Sequence, residues 1–71
     1  MKRSTRAVEI VLQEMSRQGM SMQVLQNRTN IRISVLREML TQPELLDIDS
    51  FDSIRIALGI PIAAFMDNED P

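Results

Sequence analysis

The chain has 71 residues, a formal net charge of −2, and neither cysteine nor histidine. This length supports one small domain, residues 1–71, and the missing residue types exclude disulfides, thiolate or imidazole catalysis and the usual structural zinc site. With only two aromatic residues beside six methionines and many aliphatic residues, an all-α fold with an aliphatic core is favoured. No apolar run reaches the length of about 20 residues that spans a bilayer, and the polar start does not resemble a signal peptide, so we expect no membrane partner and a cytoplasmic location, in a bacterium or a host cell.

Two helices are predicted in the first part of the chain. Ser4 or Thr5 is the expected N-cap of the first, and Gly19 is its expected left-handed end. Ser21 is expected to cap a short second helix, which Asn30 ends because asparagine tolerates the left-handed conformation. The first helix covers residues 6–18, where apolar side chains recur at helical spacing, namely Val8, Val11, Leu12 and Met15.

A third helix is predicted over residues 33–41. Leu36, Met39 and Leu40 form its buried stripe. Pro43 prevents the helix from continuing, because proline constrains the residue before it and lacks a backbone donor. A connecting loop therefore follows residue 41.

The last part of the chain predicts two more helices. Asp47 is the expected N-cap of the fourth, and Gly59 its end. Pro61 starts a short fifth helix, and the acidic tail at residues 67–71 is expected to fray. The expected inner side chains are Ile48, Phe51, Ile54 and Leu58 in the fourth helix, and Ile62, Phe65 and Met66 in the fifth.

Charge is divided unevenly along the chain. Residues 1–37 hold seven basic and two acidic residues, whereas residues 38–71 hold one basic and eight acidic residues. The basic part suits a polyanion, and the acidic part suits a basic protein. The alternative is a solvated surface on which charge is segregated by chance.

The second and third helices, joined by a tight turn, resemble the helix-turn-helix of phage repressors and Cro proteins, the XRE-like family. The resemblance covers about residues 7–66, with the motif at about residues 21–41. It implies a compact five-helix, lambda-repressor-like domain. Its most specific points are Gly19-Met20-Ser21 before the second helix, the core positions Leu25, Ile31 and Leu36, and Leu58-Gly59-Ile60 near the end.

The resemblance implies that the third helix enters the major groove of double-stranded DNA. Arg37 would bind a guanine edge, Ser34 a donor or an acceptor, and Ile33 a thymine methyl group. The function implied is that of a transcriptional regulator of Cro/repressor type, which binds its operator as a homodimer. By position, base contacts fall to Ile33, Ser34, Arg37 and Thr41, and phosphate contacts to Gln23, Arg28 and Arg32.

Some residues depart from the family's pattern. Gln26 replaces a small alanine, Asn30 replaces a glycine at the turn, and Arg32 stands where a serine commonly caps the recognition helix. Arg55 stands where a small buried residue is usual, so we expect its charge to lie outside the core or to pair with Asp52.

A second hypothesis is a modulator or antirepressor that binds a repressor protein through the same fold and controls a phage genetic switch. Apolar residues near the start of the third helix, beside an acidic loop, suit a protein surface better than a base edge. At least one of the two apolar residues is instead expected to pack inward. No catalytic constellation or phosphate-binding loop is visible, so we expect neither enzyme activity nor a cofactor. The residues of this hypothesis are Ile33, Val35, Glu38, Glu44, Asp47 and Asp49.

Overall fold

The computed structural model describes residues 3–66, and the acidic tail predicted to fray lies outside them. Within this range all regular structure is helical, which confirms the predicted all-α fold with five helices. Apart from a 3-10 turn at Pro43–Leu45, the elements are α1 (Arg3–Gln18), α2 (Met22–Thr29), α3 (Ile33–Thr41), α4 (Ile48–Leu58) and α5 (Ala63–Met66).

Two helices begin at the predicted N-caps. The Ser21 hydroxyl oxygen accepts a hydrogen bond from the Val24 amide at 3.2 Å, and Asp47 Oδ1 accepts one from the Ser50 amide at 2.8 Å. Each bond satisfies a backbone donor that has no partner within its own helix. The starts of α2 and α4 are therefore encoded by single residues.

Left-handed residues end three segments as predicted. Gly19, Asn30 and Gly59 have φ angles of 67°, 64° and 72°. Asn30 is the one non-glycine residue with positive φ in residues 3–66, and its backbone turns the chain from α2 into α3. A branched side chain at this position would strain the turn.

The start of α1 was predicted wrongly. The helix begins at Arg3, before residue 6, so Ser4 and Thr5 lie inside it and neither is its N-cap. Nothing in this stretch breaks a helix, since serine and threonine have only moderately unfavourable helix propensities. The cap preference of these residues was therefore not decisive.

The core is one aliphatic cluster to which α1, α2, α3 and α4 all contribute. Val11, Leu25, Leu36 and Ile54 are almost completely excluded from solvent. The phenyl rings of Phe51 and Phe65, both half-buried, pack edge to face beside the cluster with centroids 4.7 Å apart. The other buried side chains are Val8, Met15, Met39, Leu58 and Ile60.

Four predicted inner residues are exposed instead: Leu12, Ile48, Ile62 and Met66. Ile48 is the extreme case, with 83% of its surface accessible. It lies six residues before the buried Ile54, and this spacing turns it about 120° away around the helix. Met66 ends a helix of only four residues, whose inward position is taken by Phe65.

Polar side chains join α1 to the end of α4. The Gln18 side-chain amide donates to the Leu58 carbonyl oxygen and to Glu14 Oε2, both at 2.7 Å. Glu14 also accepts a hydrogen bond from Arg17 Nε at 3.0 Å. The hydrogen bonds from Arg17 and Gln18 lower the pKa of the Glu14 carboxyl to about 2.

Candidate nucleic-acid interface

The turn between α2 and α3 is held by a threonine at the end of α2. The Thr29 hydroxyl donates to the Leu25 carbonyl oxygen at 2.8 Å and accepts from the Ile31 amide at 3.2 Å. Together with the left-handed Asn30, these bonds fix the direction in which the chain leaves α2. Three residues, 30–32, separate the two helices.

The start of α3 is capped from α2 and not by its own N-cap residue. Arg32 occupies the N-cap position without a side-chain cap hydrogen bond. Gln26 Oε1 instead accepts from the Ile33 amide at 2.9 Å. This hydrogen bond was not predicted from the sequence, where Gln26 and Arg32 were noted only as departures from the family's pattern. A signal for it was present, because a guanidinium has no acceptor and leaves the first amides of α3 to another side chain or to water.

One face of α3 is exposed and polar. At 100° per residue, Ser34, Arg37 and Thr41 lie within about 60° of one another on the side opposite the buried Leu36, and all three are exposed. The Thr41 hydroxyl donates to the Arg37 carbonyl oxygen at 2.5 Å, so its oxygen remains able to accept a hydrogen bond. Glu38 is exposed beside Ser34 on the same face.

Apolar surface borders this face. Val35 is 40% exposed, and Ile33 is half-buried at the first position of α3. The expectation that one of them packs inward is met only in part, by Ile33. Both remain accessible to a partner.

The residues predicted to contact phosphate do not form one group. Gln23 and Arg28 lie near opposite ends of α2, and five residues of helix place them about 140° apart. Arg28 Nη1 lies 3.5 Å from the Ala57 carbonyl oxygen at the end of α4, so its guanidinium extends toward that helix. Arg32 is exposed at the entrance to α3.

Three of the four acidic residues of the second hypothesis follow α3, and the fourth, Glu38, lies within it. Glu44 is exposed in the 3-10 turn, and Asp47 and Asp49 are exposed at the start of α4. The side-chain and backbone hydrogen bonds from Ser50 hold the pKa of the Asp47 carboxyl below its usual range. The carboxylates of Asp47 and Asp49 also lie at the positive end of the α4 dipole.

The predicted pairing of Arg55 with Asp52 is confirmed. Arg55 Nε donates to Asp52 Oδ1 at 3.1 Å, and Arg55 Nη1 donates to the Ile60 carbonyl oxygen at 3.3 Å. The half-buried Arg55 side chain thus keeps its charge paired and also satisfies a carbonyl beyond the end of α4. It is the one basic group in residues 38–66.

Residues 3–66 contain neither a helix long and apolar enough to cross a membrane nor a group of three acidic, cysteine or histidine residues placed to hold a metal ion. Compared with known proteins, the chain matches no protein-family model. No curated protein and no solved structure matches it significantly either.

Proposed function

We propose that this protein is a transcriptional regulator that binds operator DNA, with α2 and α3 as a helix-turn-helix and α3 as the recognition helix. The observation that carries the proposal is the exposed polar face of α3, formed by Ser34, Arg37 and Thr41. This face follows directly on a three-residue turn whose first residue, Asn30, is left-handed. A short, rigidly held helix with such a face is suited to reading base edges.

The dimensions and chemistry of α3 support a place in the major groove. An α-helix with its side chains is about 10–12 Å across, close to the groove width of about 12 Å, and the nine residues of α3 give it a length of about 13.5 Å. Arg37 has the planar fork that pairs with guanine O6 and N7, and Ser34 is able to donate or accept. Glu38, on the same face, would accept from a cytosine amino group.

The distribution of charge favours one orientation of the domain on DNA. Residues 22–37 carry three arginines and no acid, whereas the residues after Arg37 carry Glu38, Glu44, Asp47 and Asp49. The start of α3 would therefore face the phosphates, and the 3-10 turn would lie away from them. A homodimer would place two copies of α3 about 34 Å apart, one helical turn of DNA.

The experiment is selection of duplexes from a random library at low salt, followed by affinity measurement on the selected and the scrambled duplex. Arg37→Ala should reduce the discrimination between the two duplexes by about 1–3 kcal/mol. Gln23→Ala should weaken binding to both duplexes alike. Arg6→Ala, an exposed change on α1, is the matched arginine control and should leave the discrimination unchanged.

The DNA proposal fails if no duplex is enriched over the random pool at low salt. It also fails if Arg37→Ala and Arg6→Ala affect the discrimination equally. Raising the salt concentration should weaken binding steeply, because Lys and Arg contacts release counterions from the phosphates.

A repressor-binding modulator is the second candidate, favoured by the exposed apolar surface of Val35 and the acidic segment beyond α3. Such a surface complements a basic, DNA-reading surface on another protein. The double reversal Glu44→Lys with Asp49→Lys should slow association with a co-purified repressor, because electrostatic steering is lost. Asp47 is left unchanged since it caps α4. An unchanged association rate would contradict the involvement of the acidic segment.

A further inference from the structure

The outward side of α4 carries two strongly exposed isoleucines. Ile48 is 83% and Ile56 62% accessible, and eight residues of helix place them about 12 Å apart. Asp49 and Asp52 lie between them along the helix, and both are exposed. We name these four residues the α4 outer face.

The α4 outer face is not needed for the core. The buried side chains of α4 are Ile54 and Leu58. Viewed along the helix axis, Asp52 and Ile56 point in roughly the opposite direction from this buried pair. Two large β-branched side chains therefore remain in water on one helix face without contributing to the packed cluster. Single exposed apolar side chains are common on protein surfaces, so the distinguishing feature here is that two strongly exposed isoleucines share one helix face with acidic residues.

We propose that the α4 outer face binds a basic segment of another protein. The apolar side chains of this segment cover Ile48 and Ile56, and its lysine or arginine side chains lie between them, against Asp49 and beside the Asp52–Arg55 pair. This proposal deepens the protein-binding candidate and is independent of DNA binding by α3. The acidic segment alone offers only charge, whereas Ile48 and Ile56 add two apolar anchor residues for the partner.

Charge decides between a basic partner and a second copy of this chain. Asp47, Asp49 and Asp52 lie within the first turns of α4, and Arg55, the nearest base, is already hydrogen-bonded to Asp52 and to the Ile60 carbonyl oxygen. Two copies joined face to face through α4 would bring the Asp49 carboxylates near each other, and like charges at an interface oppose association. A basic segment pairs with Asp49, while Asp52 keeps Arg55 as its partner, and gains apolar contact at both ends.

The test is titration of the isotope-labelled full chain, followed by NMR, with a synthetic helical peptide that carries lysines between two leucines eight positions apart. This leucine spacing matches the distance of about 12 Å between the two isoleucines. We expect the shifted amide signals to lie within residues 44–58. A matched peptide with glutamates in place of the lysines should bind at least about tenfold more weakly.

Variants separate the α4 outer face from the rest of the apolar surface. The double change Ile48→Ser with Ile56→Ser should weaken binding of the lysine peptide by about tenfold or more. The matched control, Ile62→Ser with Met66→Ser, removes two other exposed apolar side chains, beyond α4, and should leave binding unchanged. All four side chains are exposed, so both variants should keep the unfolding temperature of the parent chain.

Three results of the peptide titration would each overturn the proposal: equal binding of the lysine and glutamate peptides, shifted signals outside residues 44–58, or equal loss in the two double variants. A concentration dependence of the free chain's own signals in residues 44–58 would assign the face to a second copy and overturn it as well. The Ile48→Ser, Ile56→Ser variant should bind the selected duplex as tightly as the parent chain. Its loss of peptide binding is thereby distinguished from a failure of the DNA proposal.

Discussion

Replacing Gln26 by alanine should destabilise the protein through the start of α3. The Gln26 side chain is the acceptor for the Ile33 amide, while Arg32 at the N-cap makes no side-chain cap hydrogen bond. Alanine removes that acceptor and leaves the amide to water. The change also detaches the first turn of α3 from α2, so its effect reaches the helix proposed to read DNA.

The expected loss of stability depends on how deeply the Ile33 amide is buried. Loss of a helix-capping acceptor costs about 0.5–2 kcal/mol, and a fully buried unsatisfied donor costs about 1–3 kcal/mol. Ile33 is half-buried, so water reaches the freed amide in part. We therefore expect a loss of about 1 kcal/mol, which lowers the unfolding temperature of a domain of this size by about 4–8 °C.

Urea unfolding measures the loss of stability, and amide hydrogen exchange measures how far the Ile33 amide is freed. Gln23→Ala is the matched control, because Gln23 is an exposed glutamine on the same helix. Gln26→Glu keeps an acceptor, places a carboxylate at the N-terminus of α3, and should retain the stability of the parent chain. The reasoning is refuted if Gln26→Ala costs no more than Gln23→Ala, if Gln26→Glu costs as much as Gln26→Ala, or if exchange of the Ile33 amide is unchanged.

Three further changes test the turn, the core and the surface of α1. Asn30→Gly should leave stability nearly unchanged, whereas Asn30→Ala should cost about 1–2 kcal/mol in urea unfolding, because its φ of 64° is left-handed; equal effects would show that the turn relaxes. Ile54→Val should cost about 0.5–1.5 kcal/mol, since the side chain is fully buried, and a neutral result would mean that the core closes around the lost methyl group. Because hydrogen bonds from Arg17 and Gln18 lower the pKa of Glu14 from 4.5 to about 2, its ionised form stabilises the fold fully above about pH 4.5, and this contribution is lost as the pH falls through 2. Glu14→Gln should therefore flatten the acid side of the curve of unfolding free energy against pH, and an unchanged curve would contradict the assigned pKa.

Features that depend on neighbouring residues could be predicted from the sequence. The caps at Ser21 and Asp47 and the left-handed ends at Gly19, Asn30 and Gly59 each follow from one residue type and its immediate surroundings. The pairing of Arg55 with Asp52 is equally local, since three residues of helix bring the two side chains together. Local chemistry thus fixed most element boundaries.

Contacts between distant residues could not be predicted in this way. Gln26 reaches an amide seven residues away, Arg28 extends toward a carbonyl 29 residues away, and Gln18 donates to a carbonyl 40 residues away. The sequence gives no signal for the last two, because a long polar side chain on a helix surface is equally compatible with solvent. The prediction that Ile48 is buried was wrong for a related reason. Its place in an apolar pattern did not specify which side of α4 faces the core.

If the protein binds DNA as proposed, the long-range hydrogen bonds also change the role expected of Arg28. Side chains from α1 and α2 reach the last two carbonyls of α4, Gln18 at Leu58 and Arg28 at Ala57. Carbonyls at a helix C-terminus have no partner within the helix and carry its negative partial charge, so a guanidinium there is favourable. An Arg28 engaged in this way holds α2 against α4, and α2 in turn holds α3 through the Gln26 side chain. Its effect on DNA affinity would then arise from the orientation of α3, and it would extend to base discrimination as well as to phosphate attraction.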